Sequence, residues 1–163
     1  MELVGVRVEL PSNSPIVLLR EQTGEGRLLP IFIGGPEATA IALALEDVET
    51  PRPMTHDLMA TVLGELEATV ERIEVTELRD RTFFAELRIS HGERAYTVSS
   101  RPSDAIALAV RMGTPIFAAE SVLDSAGYTT TDEDDDGDEQ PEEVVEQFRQ
   151  FIDSVSPEDF DIS

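Results

Sequence analysis

The chain has 163 residues, 40% of them apolar, no cysteine and a formal net charge of −22. That length suits one domain with a tail, and the apolar fraction is enough for a packed core. The absence of cysteine excludes disulfides, thiolate catalysis and cysteine-based zinc sites, and so acidic a chain repels nucleic acid and anionic membranes at long range. All twelve basic residues are Arg. Residues 132–163 carry 14 acids and one Arg, whereas residues 1–131 set 11 Arg against 20 acids. The body is therefore only mildly acidic and leaves room for a local Arg-lined pocket. The opening MELVGVRVEL lacks the basic and apolar regions of a signal peptide, and the apolar run AIALAV is too short to span a bilayer. A soluble cytoplasmic protein with no membrane segment is expected.

In chain order, ELVGVRVEL alternates Val4, Val6, Val8 and Leu10 with Leu3, Gly5, Arg7 and Glu9, which predicts a strand with one buried face. PSNSP and TGEG are turns, so IVLLRE and RLLPIFI complete a three-stranded antiparallel meander. Pro30 places the third strand at an edge or a bulge. GGPEATAIALALEDV predicts a helix, with Pro36 at its first position and Glu37 in its first turn. Ala40, Ile41, Ala44, Leu45 and Val48 form its expected apolar stripe, and Pro51 and Pro53 end it.

THDLMATVLGELEA predicts a second helix, with Thr55 as N-cap and a stripe of Leu58, Met59, Val62, Leu63 and Leu66. TVERIEVTEL and TFFAELRIS read as a hairpin around RDR, with Phe83, Ala85, Leu87 and Ile89 on one face. RAYTVSS is a further strand. RPSDAIALAVRMG predicts a third helix, with Ser103 as cap, Gly113 as stop, and Ala105, Ala107 and Ala109 allowing close packing. TPIFAAE reads as a short buried strand and SVLDSAG as a short helix. The fold class is thus α+β: an antiparallel or mixed sheet with three main helices packed on it. The body spans residues 1–128. An acidic disordered linker is expected over 129–141. A terminal amphipathic helix is expected over 142–163, its stripe running from Val144 and Val145 to Phe148, Phe151, Ile152 and Val155.

The second and third helices share a polar prelude: Arg-Pro, a hydroxyl residue, then Asp. Capping accounts for Thr55, Ser103 and the acids Asp57 and Asp104. It leaves Arg52 and Arg101 unexplained, and a guanidinium beside a helix start makes an anion site. The two preludes therefore suggest a phosphate-binding cleft between two helix starts. His56 is either a cap-supporting residue or a general base or metal ligand. Glu37 is most simply an acid that complements its helix dipole. If Glu37, Asp57 and Asp104 converge, they supply oxygen ligands for Mg²⁺ or Mn²⁺. No zinc signature and no P-loop is present. Residue pattern alone supports an α+β domain with a polar, anion-friendly cleft.

The blocks LPIFIGGPEATAIALAL, PRPMTHDLM, FFAELRI and SSRPSDAIALAVR, followed by PIFAAESVLDSAG, resemble the bifunctional nuclease family. The similarity covers about residues 3–127. It implies an α+β domain that is often a homo-oligomer, with nuclease activity on DNA and RNA. The family's motif positions fall on Glu37, Arg52, Pro53, Thr55, His56, Asp57, Arg101, Pro102, Ser103 and Asp104. The family often carries Asp two residues before the second Arg-Pro, and Ser99 stands there, a departure that bears on catalysis rather than fold.

The expected mechanism has Arg52 and Arg101 neutralising the phosphate, with Thr55 and Ser103 also contacting substrate. His56 is the base, oriented by Asp57. Glu37, Asp57 and Asp104 are the candidate ligands of a divalent ion. The alternative is a non-enzymatic module that binds an anion or a protein in the same cleft.

Overall fold

The computed structural model describes residues 1–9 and 13–129. Leu10, all but the first residue of the expected linker, and the expected terminal helix lie outside the described residues. The first sheet is an antiparallel meander of β1 (Glu2–Glu9), β2 (Ser14–Arg20) and β3 (Leu28–Phe32). Val6 faces Val17, and Leu18 faces Pro30. Pro30 sits on the outer strand, where a missing N–H costs no ladder bond. Past β3, among the described residues, a single isolated bridge follows, Leu28 to Tyr128.

The second sheet has the order β6-β5-β4-β7. It is built from β4 (Thr69–Arg79), β5 (Thr82–His91), β6 (Arg94–Ser100) and the short β7 (Ile116–Ala118). β4 to β6 pair antiparallel, and β7 runs parallel to β4, so the sheet is mixed. The β4–β5 turn places Asp80 and Arg81 at φ 50° and 62°, the left-handed pair that a two-residue hairpin requires. The inward set on β5 is the expected one: Ala85 and Leu87 are buried, and Phe83 and Ile89 pack against the core.

Among the described residues four helices accompany the sheets: α1 (Gly35–Leu45), α2 (Thr55–Glu65), α3 (Pro102–Met112) and the short α4 (Glu120–Ala126). α1 and α2 both pack on α3, and α3 packs on β4 and β5. Ala105, Ile106, Ala107, Leu108 and Ala109 are all buried, and the three alanines permit the close approach. Gly113 closes α3 at φ 64°, the left-handed cap that glycine adopts without strain.

Several local expectations are corrected. α1 buries Ala38, Ala40, Ile41 and Ala42, while Leu45 and Val48 are exposed. This helix is apolar nearly all round, so periodicity could not choose its face. It ends before the prolines, by a closure in which the Val48 amide reaches the Leu43 carbonyl and Asp47 turns left-handed. Met54, not Thr55, is the N-cap of α2. Arg101, not Ser103, is the N-cap of α3. Pro102 at the first helical position forces its predecessor to be extended, so the cap lies one residue before the proline. The α2 stripe is not a core face: Leu58, Met59, Val62 and Leu66 are exposed, only Leu63 packs against the core, and His56 is the helix's buried residue. Among the described residues no helix is long and apolar enough to cross a membrane.

Candidate functional site

Three helix starts meet at one cluster. Glu37 comes from the first turn of α1, His56 from that of α2, and Arg101 and Asp104 from the start of α3. Arg101 Nη2 lies 2.7 Å from Glu37 Oε1. Arg101 Nε donates to Asp104 Oδ2 at 2.7 Å, and Nη2 donates to Oδ1 at 3.0 Å. This is the two-pronged geometry that suits a guanidinium to a carboxylate. His56 Nε2 lies 3.2 Å from Asp104 Oδ1. The acids sit in first turns because the helix dipole favours negative charge there. Gly34 serves this arrangement: a Cβ at that position would run into the Glu37 carboxylate.

Burial pushes the Asp104 carboxyl up, but hydrogen bonds from Arg101 and His56 outweigh it and hold the group below the usual aspartate range. The hydrogen bond to Asp104, and then its charge, raise Arg101 further above its ordinary value. Asp104 is thus an anion that accepts from His56. A neutral imidazole that donates to Asp104 from Nε2 keeps its lone pair on Nδ1.

The cluster lines a cavity of about 540 Å³, together with Thr55, Ser99 and Ser100 and an apolar wall that includes Met59, Leu87 and Leu108. Ser100 Oγ is fully buried and has no partner among the described residues, a distinction no other described side chain shares. A buried hydroxyl left unpaired in a cavity wall is a mark of a ligand or water position. Neither Ser100 nor Arg111, discussed next, was evident from sequence. Ser100 is one of two serines ending a strand, and Arg111 sits 54 residues from its partner.

The other expected residues go elsewhere. Asp57 turns to Arg111 of α3, forming an ion pair with its Nε, and accepts the Met54 amide at 2.8 Å. The hydrogen bond from Arg111 holds the Asp57 carboxyl below its ordinary range, against some opposing burial. His56 is therefore oriented by Asp104 rather than by Asp57. Arg52 is exposed and makes no ion pair among the described residues, and it is not in the cavity wall. The paired-Arg cleft is thus represented by Arg101 alone.

Ser103 is buried at the back of the α3 start and faces a neighbouring pocket. Glu37, Asp57 and Asp104 are not assembled as one donor set. Among the described residues no group of three His, Asp or Glu side chains is arranged to hold a metal. Glu37 and Asp104 share Arg101 while Asp57 is engaged by Arg111, and no chemical step is assigned to a divalent ion.

Residues 17–131 match the model of the bifunctional nuclease domain. An uncharacterized protein of Mycobacterium tuberculosis (strain H37Rv) is 45% identical over 162 residues, covering 98% of this chain and 96% of that protein. Bifunctional nuclease 2 of Arabidopsis thaliana is 30% identical over 76% of this chain. Bifunctional nuclease 2 of Oryza sativa subsp. japonica is 26% identical over 78% of it. These matches span only 39% and 40% of the plant proteins. With more than half its length matched by the domain model, this chain belongs to the bifunctional nuclease domain family.

Proposed function

We propose that the chain is a cytoplasmic, self-associating nuclease that hydrolyses phosphodiester bonds of DNA or RNA in the cavity between the three helix starts. The observation that carries this reading is the His56–Asp104–Arg101 linkage in the cavity wall. His56 Nδ1 takes a proton from water as the water oxygen attacks phosphorus and the bond to the leaving sugar oxygen breaks, and that oxygen takes up a proton from solvent. Asp104 keeps the imidazole in the required tautomer and stabilises the imidazolium that forms. Two arms of the Arg101 guanidinium are engaged, but Nη1 makes no hydrogen bond among the described residues. Its two N–H groups remain for a phosphate oxygen. The exposed apolar face of α2 supports self-association.

The test is cleavage of labelled single-stranded RNA and DNA by the wild-type chain and by His56→Gln, each with and without chelator. The variant is expected to lose about 10²- to 10⁴-fold in rate while keeping its unfolding midpoint. A His56→Gln rate equal to wild type removes His56 as the base. Undiminished cleavage in chelator agrees with a site that needs no divalent ion.

One observation favours a second reading, a binding module without turnover. Glu37 and Asp104 together more than offset the charge of Arg101, and the chain is strongly acidic. A nucleic-acid interface usually gains affinity from many cationic phosphate contacts. Anion binding without cleavage selects this reading.

A further inference from the structure

A second pocket, of about 390 Å³, lies on the other side of Arg101, between the starts of α1 and α3 and the β4–β5 turn. Four observations there concern the α3 start. First, α3 has no side-chain cap. Pro102 has no N–H, and Ala105 N–H is taken by the Arg101 carbonyl at 3.1 Å, so the Ser103 and Asp104 amides are left without helical partners. Second, Pro102 and Ser103 are buried, and a buried helix end without partners calls for something to fill it. Third, Ser103 is only 6% exposed, lines this pocket, and its hydroxyl makes no hydrogen bond among the described residues. Fourth, the pocket wall includes Arg81, an exposed cation without an ion pair among the described residues, carried on the left-handed turn position.

The start of α1 differs, because the Glu37 carboxylate folds back over Gly34 and already occupies that helix end. The Asp104 carboxylate lines the other cavity, where Arg101 offsets its charge. The donors without a protein partner among the described residues thus belong to α3 and Arg81, and they suit a phosphate dianion. Beside them, Phe32 presents a ring that is 59% exposed, and Phe83 adds a second aromatic side chain to the wall. An open aromatic face next to a phosphate site suits a nucleobase, which gains by stacking. The volume is at the scale of small-ligand sites.

We propose that this second pocket binds one phosphorylated nucleoside, its phosphate held by Ser103, Arg81 and the free α3 amides and its base laid against Phe32. The site goes beyond the hydrolysis reading and does not require it. The same chemistry fits a free mononucleotide and one residue of a strand.

The experiment is calorimetric titration of the full chain with 5′-AMP, adenosine and inorganic phosphate, repeated on Arg81→Gln and Ser103→Ala. Saturable 5′-AMP binding is expected, with adenosine weaker by about tenfold or more and Arg81→Gln losing a similar factor. Arg81 is an exposed turn residue, so its variant keeps the fold even if Ser103→Ala does not. Competition by a single-stranded DNA octamer, measured on His56→Gln to prevent cleavage, separates the sources. Displacement of 5′-AMP identifies a strand residue, and its absence identifies a free mononucleotide. No saturation by 5′-AMP at millimolar concentration overturns the proposal, as does an Arg81→Gln affinity within about twofold of wild type. Arg81-dependent 5′-AMP binding in a chain that cleaves nothing sinks the nuclease reading and leaves this site standing.

Discussion

Helices α2 and α3 are both 11 residues long and each has an Arg-Pro pair at or just before its start, yet they bury opposite kinds of side chain. α3 hides alanines, Ile106 and Leu108 between the other helices and the second sheet. α2 exposes Leu58, Met59 and Val62, with Leu66 exposed at its C-cap, and hides a histidine. Their first-turn acids differ as well. Asp104 joins the cavity cluster, whereas Asp57 braces α2 against α3 through Arg111. α3 thus acts as the scaffold, and α2 as a lever that brings His56 to it and turns an apolar face outward. A shared prelude does not make a shared role; position in the packing does.

The largest effect that sharpens this contrast is in the core of α3. Ile106→Ala should cost about 3 kcal/mol in urea unfolding, because the surrounding helices cannot close the cavity fully. Leu58→Ala should cost under about 0.5 kcal/mol of monomer stability. A comparable loss at Leu58 in dilute solution would break the contrast.

Next is the brace. Arg111 is nearly buried and Asp57 partly so. Arg111→Met should cost about 2 kcal/mol by leaving Asp57 without its cation. Nucleic-acid cleavage per folded molecule should change far less than in His56→Gln, since Arg111 lies outside the cavity wall. Val62→Glu should lower the mass seen by light scattering and leave the circular dichroism spectrum unchanged. A chain already monomeric at high concentration removes the self-association proposal.

The smallest effect is in acid. The Asp57 and Asp104 carboxyls both sit below their ordinary value of 3.8. Their stabilisation is therefore fully present above that pH and is lost as pH falls through the lower folded-state values. Asp57→Asn and Asp104→Asn should each flatten the acid limb of the stability curve. Burial opposes the shift of both carboxyls, and for Asp104 it is the largest single cause. An unaltered acid limb in both variants would contradict the two ion pairs.

Much of the fold could be read without coordinates. The alternation in β5, the edge position of Pro30 and the glycine stop at Gly113 follow from local rules: strand period, a missing N–H, a left-handed cap. Caps were harder. Thr55 and Ser103 look like caps by residue type, but Pro102 shifts the α3 cap to Arg101, and Ser103 is drawn inward instead. The site was legible as a set of residues and not as an arrangement. Glu37, His56, Arg101 and Asp104 converge, while Arg52 and Asp57 do not join them.

The sequence by itself therefore determined the elements, their order, the absence of cysteine chemistry and the family, because these depend on composition, period and near-neighbour spacing. Only the tertiary structure decided which face of α1 and α2 is covered, which carboxylate lies against His56, and that a helix start without a side-chain cap lines one pocket with Arg81. Those outcomes rest on side chains dozens of residues apart meeting across packed helices, and no local pattern encodes which of two first-turn acids a distant arginine will reach.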